Sequence, residues 1–327
     1  MPSFNYDFPY STKKLPVFAS NVVASSQHLA ATAGLRMMAR GGNAVDAAIA
    51  SAIAITVVEP TMNGIGADAF CILWDGQKLV GLNASGHSPA LMTPDQYKGQ
   101  AAMPHVGWGS VTTPGAVSLW MELHSRYGKL PFADLFEPGI KYASDGFRVS
   151  YMVSRQWERA IDRLKGQESW VKAFLPSGRA PKPGELWKFP DQARTLTKIA
   201  ESKGEAFYRG ELAEAMGKYA TETGGALRKE DLAAHKPDWV DPIGLSYRGT
   251  TLHEIPPSGQ GIAACMALGI LENFDIAGHD VDGPEIAHLK IEAMKLAFAD
   301  IHRYVADPRF MEVTPKQMLD KGYLKSR

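Results

Sequence analysis

Residues 41–70 read GGNAVDAAIASAIAITVVEPTMNGIGADAF, and the fold turns on this stretch. Gly41-Gly42-Asn43 punctuates two helical patterns. Asn43 suits an N-cap, because its side-chain oxygen accepts a first-turn N–H, and Asp46 stands at N3 as a short analogue of the capping box. The helix that starts here, 44–58, is apolar almost all round, so it is expected to be buried on all sides within a core layer. Pro60 follows its end. Asp46, Ser51 and Thr56 interrupt it, and it is shorter than the roughly 20 apolar residues a bilayer span needs.

Upstream, 25–40 places Leu29, Ala33, Met37 and Met38 at helical spacing. Downstream, 69–75 and 78–85 are β-rich runs around Asp75-Gly76, a strong hairpin signal. A further strand, 249–255, runs into Pro256-Pro257-Ser258-Gly259-Gln260-Gly261 and a helix over 262–274. Pro284 suits N1 of a long helix, 285–304, whose Ile286, Leu289, Ala293, Leu296 and Ala297 form one apolar stripe. From about 150 to 240 the chain is more polar and mostly helical in pattern, with loops at 176–184 and 237–242. Helices combined with a hairpin-containing sheet predict layered α/β or α+β architecture rather than a βαβ series.

Composition excludes several classes. The 327 residues suffice for two ordinary domains or one large one. Lys plus Arg (35) equals Asp plus Glu (35), so the chain lacks the basic field of a nucleic-acid binder, and no polybasic run addresses an anionic membrane. Two cysteines, Cys71 and Cys265, rule out a disulfide framework and a Cys-based zinc site; both lie in apolar stretches and read as buried thiols. The first twenty residues carry no charged start followed by an apolar run, and Pro2, Pro9 and Pro16 break any helix, so a cytoplasmic chain is expected.

Each local motif meets an objection. Gly64 to Ala69 fits GxGxxA, but a dinucleotide fingerprint needs a strand before it and a helix after it, and here the order is reversed. A tight glycine loop is expected there, with no cofactor. Gly86-His87-Ser88-Pro89-Ala90 resembles a nucleophile elbow, yet the residue after the nucleophile must lend its N–H to the oxyanion hole, and Pro89 has none. His288 and Glu292 share a helical face with Lys295 and read as a surface network; a third ligand is not signalled, so no metal is expected. Ser258-Gly259-Gln260-Gly261 lacks the Lys-Ser/Thr of a phosphate loop and reads as a structural turn. No self-contained active site emerges.

Four ordered blocks supply what local chemistry does not. GGNAVDAAIASAIAITVVEPTMNGIGADAF is followed by VTTPGAVSLWMELHSRYGKLPFADLFEPGIKYASDGFRV, then PPSGQGIAACMALGILENFD, then EAMKLAFADIHRYVADPRF with KGYLKSR. Together they resemble the gamma-glutamyltranspeptidase family over nearly the whole chain from about Val22; 150–240 matches least distinctly. The resemblance implies an α+β fold of the N-terminal nucleophile hydrolase type, two central sheets between helical layers (αββα). Residues 1–327 then form one domain, completed by a small-subunit chain, with 150–240 its more variable helical region. The resemblance further implies a precursor that cuts itself before a threonine. The freed threonine opens the small subunit, and its α-amine serves as base for its own hydroxyl. It takes a γ-glutamyl or related acyl group and passes it to water or an amine. On this expectation the chain is the large subunit and holds no catalytic nucleophile: Met1-Pro2-Ser3 offers none once Met1 is removed. The alternatives are a cephalosporin or glutaryl acylase of the same family and a non-catalytic scaffold.

One departure concerns the substrate. In the family a segment like FRExAP carries an arginine that grips the substrate's α-carboxylate. Aligned on Pro89, that position here is Ser85, and the candidate substrate-binding residues are Ser85, Gly86 and His87. An Arg–carboxylate fork makes two charge-assisted hydrogen bonds, which a serine and a mostly neutral histidine do not equal.

Overall fold

The computed structural model describes residues 17–327; Met1-Pro2-Ser3, Pro9 and Pro16, discussed above, lie outside the described residues. The chain forms two compact units.

The larger unit comprises Ala19–Ala69 and Ala84–Pro237. Its first two helices are His28–Ala39, capped by the Gln27 side chain, and Ala44–Val58. The expected capping box is present: Asn43 Oδ1 accepts the Val45 and Asp46 N–H groups at 3.0 Å each, and Asp46 Oδ2 accepts the Asn43 N–H at 2.9 Å. Asp46, fully buried, also accepts the Lys129 N–H at 3.0 Å and the Leu130 N–H at 3.3 Å. One carboxylate thus starts a core helix and fixes the chain that leaves the helix Ala116–Tyr127. Burial of Ala44–Val58 departs from expectation along one side. Ala44 and Ala48 are exposed, Ala52 and Ile55 half-buried, and with Val22 and Val23 they line a groove of about 390 Å³. Their small side chains leave that face shallow, and no described element lies over it. The middle of the chain is helical as expected, with Tyr151–Leu164, Pro190–Glu201 and Glu211–Glu222 its longest helices. Buried Trp157 stacks on Phe189 (5.9 Å between centroids) and meets Trp187 edge-on (4.9 Å).

The smaller unit includes Phe70–Asn83 and Asp238–Arg327. Strands Ala69–Trp74 and Leu79–Ala84 flank Asp75-Gly76. Asp75 Oδ1 accepts the Gln77 and Lys78 N–H groups, 2.9 Å each, and Gly76 takes the positive φ (100°) that the turn needs. The expected loop at 237–242 instead contains a strand, Asp238–Val240, antiparallel to Leu79–Ala84 with Gly81 opposite Val240 and Asn83 opposite Asp238. At three residues between two prolines it lacks the length that a sequence pattern needs. Among the described residues Ala69–Trp74 is an edge strand of this sheet, with Phe70, Ile72 and Trp74 exposed on one face.

A second hairpin pairs Ile243–Tyr247 with Thr250–Glu254, and the helices Ile262–Leu271 and Pro284–Tyr304 pack around Met266, Ile270, Ala293, Ala297 and Ile301. The first of these helices ends three residues before the expected Phe274. At its start, the Glu254 carboxylate lies against Gly261. Cys265 is buried and Cys71 half-buried. Lys295 pairs with Glu292 at 2.7 Å on the exposed face of the long helix, as the spacing suggested. Among the described residues no helix is long and apolar enough to cross a membrane, and no cluster of three or more His, Cys, Asp or Glu is placed to hold a metal.

Candidate functional site

The strand Leu79–Ala84 runs directly into Ser85, Gly86 and His87. Ser85 and Gly86 are half-buried, while His87 and Ser88 are exposed and Pro89 is buried. Among the contacts that hold this loop are three tethers. The Thr113 N–H donates to the His87 carbonyl at 3.0 Å. The Gly86 N–H donates to Asp68 Oδ1 at 3.3 Å. The Ala90 N–H donates to Asp231 Oδ1 at 2.8 Å, while Asp231 Oδ2 accepts the Arg228 N–H at 2.8 Å in the capping box of its own helix.

Two glycines make the packing possible. A Cβ on Gly86 would collide with the Thr113 carbonyl, and a Cβ on Gly115 with the Ala84 carbonyl. The segments 84–87 and 113–115 therefore approach more closely than side chains permit. The Gly115 and Ala116 N–H groups donate to the Ala67 carbonyl, at 3.1 and 2.8 Å, so 67–68 joins the same backbone knot. By contrast, Gly64 and Gly66 have open space around them, and the tight glycine loop expected at 64–69 is not sterically demanded. Asp68 is exposed, but surrounding protein raises its carboxyl above the ordinary range, an effect that the Gly86 hydrogen bond partly offsets.

Behind the loop lies a buried polar network absent from the sequence reading. His235 Nε2 is 2.9 Å from Ser118 Oγ, and Ser118 Oγ donates to the Gly115 carbonyl at 2.7 Å. Ser118 has one hydroxyl hydrogen and that carbonyl only accepts, so His235 Nε2 is the donor in the other bond. The pair resembles a nucleophile and its base but is wired in the opposite sense, and both side chains are buried. Tyr208, also buried, donates to the Pro114 carbonyl at 2.9 Å and accepts the Ser118 N–H at 2.9 Å. Burial is the main cause that pushes its phenol up to about 12. The three side chains come together from positions 118, 208 and 235, spacings at which a sequence carries no local signal.

The loop is thus held by backbone and carboxylate tethers, and among the described residues no accessible nucleophile–base pair lies beside it. The model of the gamma-glutamyltranspeptidase family matches residues 30–327. The chain belongs to the gamma-glutamyltranspeptidase family. Within it, the chain is 36% identical over 315 residues to the Glutathione hydrolase-like YwrD proenzyme of Bacillus subtilis, an overlap of 95% of this chain and 60% of that protein. The crystal structure of cephalosporin acylase from Bacillus halodurans superposes with a TM-score of 0.91 at 44% identity, over 98% of this chain and 62% of that one. The Helicobacter pylori gamma-glutamyltranspeptidase structure gives a TM-score of 0.89 at 28% identity, over 96% of this chain and 92% of that one. The fold is therefore the α+β fold of the N-terminal nucleophile hydrolases, as the resemblance implied. The chain spans about three fifths of the curated proenzyme, 60% of its length.

Proposed function

We propose that this chain is the large-subunit part of a self-processed amide hydrolase or acyltransferase, and that the attacking hydroxyl belongs to a threonine opening a small-subunit chain from the same precursor. In this reaction the threonine α-amine removes the hydroxyl proton as the oxygen adds to the amide carbonyl. The tetrahedral intermediate collapses, the proton passes to the leaving nitrogen, and an acyl ester remains. Water or an acceptor amine then adds to the ester and releases the threonine.

The observation that carries the reading is the tethered Ser85–His87 loop, a recognition element in a chain whose two candidate serines, Ser118 and Ser88, are unsuited to attack. Ser118 spends its hydroxyl on a backbone carbonyl, and Ser88 precedes a proline. The exposed apolar face of Ala69–Trp74 supports a second chain that completes the sheet. Ser85 at the position where the family carries arginine favours acyl donors lacking an α-amino-acid head. The 44% identity to a cephalosporin acylase supports the same choice.

The test compares a glutaryl anilide with a γ-glutamyl anilide, and glutathione, using the assembled two-subunit enzyme. The expected result is poor glutathione turnover, since a charge-assisted bond to the α-carboxylate is missing. The glutaryl anilide keeps that terminal carboxylate and lacks only the α-amine, so a kcat/KM at least equal to that of the γ-glutamyl anilide is expected if the amine is not recognised. Robust γ-glutamyl hydrolysis untouched by His87→Ala would contradict this specificity.

A further inference from the structure

We propose that Asp68 is a positioning residue for substrate recognition: its carboxylate holds the Gly86 amide and so fixes where Ser85 and His87 present their side chains to the acyl donor. The inference rests on the preceding reading that this loop meets the donor.

Gly86 is locked from both sides. The Thr113 carbonyl occupies the place of a Cβ, and the Asp68 carboxylate takes the N–H. Of these three tethers, the one at His87 is backbone to backbone, and the one at Ala90 uses a carboxylate that also caps its own helix. Asp68 alone is an exposed side chain whose other role is only to follow Ala67, the residue that receives the Gly115 and Ala116 amides. It can therefore be replaced or protonated while the backbone knot persists, and the loop's freedom at Gly86 changes by itself.

A hydrogen bond to an ionised carboxylate is stronger than one to a neutral acceptor, so a proton on Asp68 loosens the tether. The surroundings of Asp68 bring that protonation closer to neutral pH than for a solvated aspartate. The segments 64–67 and 113–116 of the adjoining backbone knot carry no titratable side chain, and 84–88, which donates the Gly86 N–H to Asp68, carries only His87. The loop thus tightens as pH rises through the raised carboxyl value and slackens below it.

The experiment measures kcat and KM for the glutaryl and γ-glutamyl anilides across pH with the two-subunit enzyme processed from its full precursor. Asp68→Ala is expected to raise KM about fivefold or more, the loss of one charge-assisted bond, with kcat and Tm held. Asp68→Asn keeps an acceptor for the Gly86 N–H, so it recovers most of that loss and lacks the acidic rise in KM of the wild type. Ser85→Ala and His87→Ala serve as controls. If they raise KM and Asp68→Ala leaves it within twofold at every pH, the role of Asp68 is overturned and the loop reading stands. If neither control moves KM, the loop reading itself is overturned. Should Asp68→Ala fail to assemble, Asp68→Asn decides alone, and an unchanged acidic rise in KM contradicts the proposal.

Discussion

Gly115 stands at the start of a helix with a φ of −110°, a value open to any residue, so its constraint is one of space rather than of backbone conformation. The Ala84 carbonyl occupies the position of a side chain there, and the Thr113 carbonyl does the same at Gly86. Gly115→Ala must push two backbones apart and is expected to cost about 1–3 kcal/mol, the usual penalty of overpacking. Gly66→Ala, with nothing near its Cβ position, should fall within about 0.5 kcal/mol of wild type. Urea unfolding of the two variants checks the contrast; equal effects would contradict the close approach. Sequence alone drew attention to Gly64 and Gly66, because a spaced glycine pair is a recognisable local pattern. The glycines that matter sit singly, and what crowds them lies 27 and 31 positions away along the chain. Ser85 and His87 were legible only through the family pattern around Pro89, and the tethers at Asp68, Thr113 and Asp231 were not legible at all.

A helix whose N-cap must be glycine has no side chain of its own with which to cap. For Ala116–Tyr127 the hydroxyl of Tyr208 does this work, reaching the Ser118 N–H from a distant helix. Tyr208→Phe leaves a buried N–H and the Pro114 carbonyl short of a partner, and is expected to destabilise the chain by about 1–3 kcal/mol. The same residue links stability to alkaline pH. In the fold its phenol stands at about 12, above the ordinary value near 10 of an unfolded chain. Below pH 10 both states keep the proton and the contribution is whole; above it the unfolded chain sheds the proton first, and stability falls until the folded value is passed. The loss approaches about 1.4 kcal/mol per pH unit, and Tyr208→Phe should flatten that part of the curve in unfolding measured from pH 9 to 12. An unflattened curve would contradict the buried-phenol account. Elements with local signals read correctly from sequence: the Asn43–Asp46 box, the Asp75-Gly76 hairpin, Pro284 at the first helical turn. Asp238–Val240 did not, because it exists as a strand only through its pairing with Leu79–Ala84.

At the scale of the molecule, two features remain incomplete among the described residues. Phe70, Ile72 and Trp74 form an exposed apolar face on an edge strand, the kind of surface that natural sheets cover or pair. The Ser85–His87 loop, proposed to meet the donor, is tethered in place, and among the described residues no accessible nucleophile–base pair lies beside it. Both fit the arrangement proposed above, in which a companion polypeptide would add strands and bring the reacting threonine. Its most direct test is to inactivate the processed enzyme with an acylating substrate analogue, separate the polypeptides, and locate the adduct by mass spectrometry. The account predicts a single adduct on the first residue of the companion chain, a threonine, and none on residues of this chain. An adduct on Ser88, or on any other side chain between 17 and 327, would contradict it.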